Sequence, residues 1–141
     1  MDDSPAHAPD LSDLSGRQAG WVREIETLSE QTLLACYQCG RCSAGCPMVS
    51  EMDLLPNQVI RLAQLGMHSV LDSQAAWVCA ACLTCHARCP KGIDLPRVME
   101  AIRILAVRTG GARLLAGDLS PQALAEAPPM AVIGALRKAG G

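Results

Sequence analysis

The sequence contains no phenylalanine, one tyrosine and two tryptophans among 141 residues, and Val, Ile and Thr number only 8, 6 and 4. A chain so poor in β-branched and aromatic residues has little of what fills the face of a sheet. The apolar half of the composition is carried by 21 Ala, 18 Leu and 8 Cys, a mixture that favours helix. With few large side chains, a conventional core is expected to be thin, and something else is expected to occupy the interior. No apolar run approaches the roughly 18 residues that span a bilayer, so no membrane helix is expected. There is no basic excess either: 12 Lys and Arg against 14 Asp and Glu leave a charge of −2, which argues against a nucleic-acid binder. The start, Met1-Asp2-Asp3-Ser4-Pro5, has acids where a secretion signal needs basic residues and an apolar stretch. The expected location is therefore the cytoplasm, where reducing conditions disfavour eight cysteines paired as four disulfides.

At this length the chain makes one small domain with tails. Residues 1–20, rich in Asp, Ser, Pro, Ala and Gly, read as a flexible arm. From Trp21 a helical period places Trp21, Ile25, Leu28 and Thr32 on one face and leads to Cys36. A second helix starts at Pro56, with Asp53 as candidate cap, buries Val59, Ile60 and Ala63, and ends at Gly66. Residues from Ser73 to Val78 form a short turn or helix before Cys79. A third helix opens at Asp94 and Pro96, turns Val98, Met99, Ile102, Leu105 and Ala106 inward, and stops at Gly110-Gly111. Arg97, Glu100, Arg103 and Arg108 are expected to face solvent. The central domain thus runs from 21 to 110. In the tail, residues 111–141, Ser120-Pro121 can start a short helix that Pro128-Pro129 ends. The apolar stretch Met130 to Leu136 either packs back on the domain or docks a partner.

The cysteines stand at 36, 39, 42, 46 and at 79, 82, 85, 89, each set reading C-x2-C-x2-C-x3-C-P and closing with Pro47 or Pro90. Every cysteine of the second set lies 43 residues after its counterpart, so this is an internal repeat. Three cysteines at intervals of three can wrap one corner of a cuboidal cluster. The fourth, followed by Pro, points away and ligates the other cluster, as in two-cluster ferredoxins. This spacing assigns one [4Fe–4S] cluster to Cys36, Cys39, Cys42 and Cys89, and the other to Cys79, Cys82, Cys85 and Cys46. Full thiolate ligation leaves no iron open to substrate and points to electron transfer. Two structural zinc ions are the competing reading, yet zinc hooks use paired C-x2-C units and explain neither the third cysteine in register nor the closing Pro. A disulfide framework and a C-x-x-C redox site, which needs a βαβ context, fit less well.

Residues between the ligands have subsidiary roles. Gly40 and Gly45 can take positive φ and aim N–H groups at cluster sulfurs. Tyr37 and Trp77 are positioned to shield the clusters from water. Arg41 and Arg88 either offset cluster charge or are solvated. His86 is expected to face solvent, since Rieske-type ligation replaces two cysteines with two histidines.

The common small ferredoxin has strands flanking its motifs, whereas helices lie before, between and after them here, so the pattern resembles the all-α, α-helical ferredoxin fold. The strings Cys36-Tyr37-Gln38-Cys39-Gly40-Arg41-Cys42-Ser43-Ala44-Gly45-Cys46-Pro47 and Pro56-Asn57-Gln58-Val59-Ile60-Arg61-Leu62 resemble the C subunit of heterodisulfide reductase over residues 21 to 110. That resemblance implies a relay between a flavoprotein, the A subunit of such complexes, and a catalytic B subunit, whose cysteine-rich CCG domains work on disulfide or sulfur substrates. No cysteine follows Cys89, so disulfide chemistry would reside in the partner. An iron–sulfur subunit of a quinone-linked glycolate- or succinate-type dehydrogenase is the alternative. Such subunits usually add a CCG region or a C-x4-C-x2-C domain in the same chain, and neither is visible.

Overall fold

The computed structural model of the chain describes residues 17–110 and 119–139, and among these every regular element is helical. The α-helices are α1 (Arg17–Ser29), α2 (Arg41–Ala44), α3 (Pro56–Gln64), α4 (Ala75–Val78), α5 (Thr84–Arg88), α6 (Leu95–Gly110), α7 (Pro121–Glu126) and α8 (Pro129–Ala139). Three 3-10 turns lie between them, at Leu33–Ala35, Val49–Glu51 and His68–Asp72. The all-α reading holds, and the repeat is visible in the backbone. A short helical stretch precedes each first cysteine, a helix of four or five residues carries each third one, and a longer helix follows each fourth.

Helix α6 is the central post, in contact with α1, α3, α4, α5 and α8. Its inward face is the one expected from the helical period: Val98, Met99, Ile102 and Leu105 are buried. They meet Trp21 and Ile25 of α1, Leu33, and Val59, Ile60 and Ala63 of α3 in one aliphatic cluster. Each fully buried Ile, Leu or Met in such a cluster contributes roughly 1.5–3 kcal/mol. The interior is thus fuller than the composition implies. Five of the eight cysteines (Cys36, Cys42, Cys79, Cys85 and Cys89) pack against this cluster from outside it. Small side chains suffice because short helices approach closely, as where Ala75 and Ala76 of α4 are buried.

Four details depart from the sequence reading. Helix α1 begins at Arg17, inside the expected arm, and residues 1–16 lie outside the described residues. It stops at Ser29, followed by Glu30 at φ +55, so Thr32 does not continue its buried face and is exposed. Arg103 is buried, not solvent-facing: its Nη1 donates to the Ala76 carbonyl at 2.5 Å and it pairs with Glu100. The long side chain reaches a carbonyl of the four-residue helix α4, an interaction that helical periodicity alone cannot reveal. Arg97 and Arg108 are exposed and pair with Glu30 and Glu24. In the tail, Pro121 does start a helix that ends before Pro128, while Met130 to Leu136 lie on α8. There Val132 and Leu136 are half-buried, but Met130 and Ile133 are exposed.

The fourth departure concerns Asp53. Helix α3 is closed by Gln58, whose Oε1 accepts the Leu55 N–H at 2.9 Å. Asp53 instead caps α4 in the other repeat, accepting from the N–H groups of Gln74 and Ala75 at 2.9 Å each and from the Ser73 hydroxyl at 2.8 Å. Burial alone would push its carboxyl up. The hydrogen bonds from Gln74, Ser73, Ala75 and Leu54 outweigh this and hold it below the usual carboxylate range. One carboxylate thereby pins the segment after the first motif to the segment before the second. Replacing Asp53 with Ala is expected to cost about 1 kcal/mol, the usual value of a lost N-cap, read as a thermal midpoint lower by roughly 4–8 °C. Because the folded pKa lies below that of an unfolded Asp, about 3.9, the stabilisation is complete at neutral pH and disappears as pH falls through the folded value. The gap between wild type and Asp53→Ala therefore narrows below about pH 4.

Candidate metal centres

Both motifs are built around a pair of left-handed residues. In the first, Gln38 and Gly40 have φ +64 and +75; in the second, Ala81 and Leu83, each 43 residues later, have φ +51 and +63. These reversals between the first and third cysteines fold the chain back on itself. Gly40 meets the requirement at no steric cost. Leu83 meets it as an exposed non-glycine residue, a conformation that costs roughly 1–2 kcal/mol and persists only because the fold over-determines it. Helices α2 and α5 start immediately after this pair, capped by Gly40 and Leu83.

Cys36, Cys39, Cys42 and Cys89 line one cavity, together with Cys85. The third and fourth cysteines of the second motif therefore stand with the first three of the first motif. Ile60, Ile93 and Leu95 supply the apolar wall, and Asn57, Gly40 and Arg41 a polar edge. Tyr37 is 57% exposed, with its ring 5.7 Å from Lys91 Nζ. The cover on this side is thus formed by the three aliphatic residues, a role the sequence does not single out for them. Trp77 is half-buried in α4, two residues ahead of Cys79. Cys39 and Cys82, at equivalent positions, are the two exposed thiols; the other six are half-buried, and no disulfide joins any of the eight.

Electrostatics suits the site to a cationic occupant. Burial pushes the Cys85 thiol up to about 11, the N–H of His86 opposing and neighbouring Cys79 and Cys42 reinforcing the shift. Burial also raises Cys42. Cys82 is held down by the hydroxyl and N–H of Thr84. Thiols that resist ionising because they are buried beside one another become thiolates when iron supplies the opposite charge. The sulfur donor set, the enclosing apolar wall and the mutual repulsion of the thiolates all fit a thiolate-ligated iron–sulfur cluster.

A polar scaffold holds the first motif in place. Gln64 Nε2 donates to the carbonyls of Leu33 and Cys36 at 2.7 and 3.0 Å, and Glu26 accepts the Leu33 N–H at 2.8 Å. Ser43 Oγ lies 2.5 Å from Asn57 Oδ1 and accepts the Asn57 N–H at 3.1 Å. Gln38 Nε2 donates to Cys36 Sγ at 3.5 Å. At Cys89, the Ile93 N–H donates to the sulfur at 3.4 Å.

The two glycines behave differently from one another. Gly45 has φ −111, not a positive value. It matters for space: a Cβ there would lie 2.6 Å from Arg88 Nη1 and 2.8 Å from its Cδ and Cζ. Arg41 and Arg88, with Ala44 and Ala87, border an open groove between α2 and α5, and the described ion pairs involve neither arginine. His86 is exposed, as expected.

A family model described as 4Fe-4S dicluster domain matches residues 32–93, a span that contains all eight cysteines. Two [4Fe–4S] clusters are the cofactors of that domain. The chain is 42% identical over 79 residues to the C2 subunit of the H(2)/formate:CoB-CoM heterodisulfide,ferredoxin reductase of Methanococcus maripaludis, covering 56% of this chain and 43% of the relative. It is 38% identical over 101 residues to the iron-sulfur C subunit of the CoB-CoM heterodisulfide reductase of Methanopyrus kandleri, covering 71% and 51%. Against the C subunit of the ferredoxin:CoB-CoM heterodisulfide reductase of Methanosarcina mazei it is 38% identical over 78 residues, covering 55% and 48%. The chain spans about half the length of these curated relatives. No helix among the described residues is long and apolar enough to cross a membrane. Residues 32–93 are thus a 4Fe-4S dicluster domain, and the chain that carries it is similar to the iron–sulfur C subunits of heterodisulfide reductases.

Proposed function

We propose that the chain is the electron-relay subunit of a heterodisulfide-reductase-like complex in the reducing cytoplasm. It carries electrons between a flavoprotein partner and a CCG-domain partner that works on disulfide or sulfur substrates. Cys36, Cys39, Cys42 and Cys89 hold one cluster; Cys79, Cys82, Cys85 and Cys46 hold the other. When bound, each cluster supplies a one-electron couple. The observation that carries the reading is the meeting of Cys89, with Cys85 beside it, and Cys36, Cys39 and Cys42 at one cavity, which favours ligand exchange between the motifs. With every cysteine engaged, the rest of the protein holds the thiolates, excludes water with Ile60, Ile93 and Leu95, and leaves an exit at the exposed Cys39 and Cys82. Chemistry on a disulfide then falls to the partner.

Cross-ligation makes folding and metal binding one event. Chelating the iron anaerobically is expected to abolish the cooperative thermal transition and disperse the α2 and α5 signals in NMR spectra. A cooperatively folded, iron-free chain would contradict this. Replacing Cys46 with Ser is expected to damage the cluster of the second motif and spare that of the first, as read by EPR of the reduced protein. Damage confined to the cluster of the first motif would overturn the ligand assignment.

A further inference from the structure

The thiols of the two motifs match in exposure pair by pair: Cys39 and Cys82 are exposed, and the other three pairs are half-buried. The backbone matches too, with left-handed residues at 38 and 81 and at 40 and 83. What breaks the match is a side chain. The last residue before the second cysteine is Gln38 in the first motif and Ala81 in the second.

Gln38 Nε2 donates to Cys36 Sγ at 3.5 Å, while its Oε1 accepts from Asn57 Nδ2 at 3.5 Å. Asn57 is itself fixed, its N–H and side-chain oxygen both meeting Ser43 Oγ. The amide of Gln38 is therefore held at one end by the first turn of α3 and offers its N–H to a half-buried sulfur. The second motif has its own side-chain partner, Thr84, 3.4 Å from Cys82 Sγ, but that sulfur is exposed, where water competes for the same lone pairs. A hydrogen bond to the half-buried sulfur acts in the lower dielectric and counts for more.

We propose that Gln38, oriented by Asn57, raises the reduction potential of the cluster held by the first motif. The inference rests on the ligand assignment proposed above, in which Cys36 is a cluster thiolate. Reduction adds negative charge to a cluster and its sulfurs, so a donor aimed at one of them stabilises the reduced form more than the oxidised form, and the potential rises.

The test is an anaerobic reductive titration of the full, cluster-loaded chain with dithionite and mediators, both midpoints being followed by EPR. Gln38→Leu removes the amide at similar volume. Gln38→Gly removes it while accepting the left-handed backbone freely, so a folding defect in the first variant does not end the test. In both, one midpoint is expected to fall with about a tenfold loss of affinity for the electron, a shift of about 59 mV for a one-electron couple, while the other stays in place. Asn57→Ala, which frees the amide, is expected to lower the same midpoint by less. Unmoved midpoints, or an equal shift of both, in variants that retain about eight irons and eight sulfides per chain would overturn the role of Gln38 and leave the ligand assignment intact. A wild-type chain with a different iron count, or a moving signal that Cys36→Ser leaves untouched, would instead overturn the ligand assignment.

Discussion

Eight thiols, most of them half-buried, that iron turns into thiolates are the constraint on which this structure depends. Six of the eight cysteines are half-buried, and Cys42 and Cys85, one from each motif, both resist losing their protons because they are removed from water. Protonated, such groups pack as small apolar side chains; ligated to iron they become cross-links of the fold. In the proposed ligation each motif encloses most of a site and borrows the rest from the other, so the two repeats are bound by coordination across the interface between α2 and α5. The aliphatic cluster around α6 then fixes the distance and orientation of the two motifs, and does not have to supply all the stability of a small domain.

Around that constraint the polar interactions fall into a pattern. Asp53, just beyond the first motif, caps the helix that precedes the second. Arg103, on the helix after the second motif, donates to a carbonyl of the same α4. Gln64 of α3 reaches back to the carbonyls of Leu33 and Cys36, and Gln31 Oε1 accepts the N–H of Asp94 at 2.8 Å. Each link joins segments beside the cysteine motifs that are distant in sequence. Rigid positioning of this sort suits electron transfer, in which the protein contributes geometry, dielectric and hydrogen bonds to sulfur while the cofactor contributes the redox couple.

Much of this is legible in the sequence, for identifiable reasons. The 43-residue repeat and the helical period of Val98, Met99, Ile102 and Leu105 are local patterns, and local patterns survive without coordinates. Proline at 56 and 121 marks helix starts correctly because it removes a donor that a first turn does not use. Asp53 misleads because the nearest helix is the natural one to cap, whereas its carboxylate serves a helix about twenty residues away. Arg103 misleads because charge on a helix predicts exposure unless a carbonyl lies within reach, and that carbonyl belongs to another element. Gln38, Asn57, Ser43 and Gln64 carry no metal-ligand signature, and nothing in their residue types marks them as site residues. Yet they fall in or beside the two strings that carry the resemblance to the C subunit of heterodisulfide reductase. The hydrogen bonds among Gln38, Asn57 and Ser43 give a physical meaning to that resemblance: the strings specify a scaffold for the first motif.

The central claim is that all eight thiols grip two iron–sulfur cubes that accept electrons in turn. Its most direct test is to count the electrons and metals of the chain isolated without oxygen. The expected result is a brown protein with about eight irons and eight acid-labile sulfides that takes up about two electrons per chain. A colourless protein with about two zinc ions, no sulfide and no uptake of electrons would contradict it.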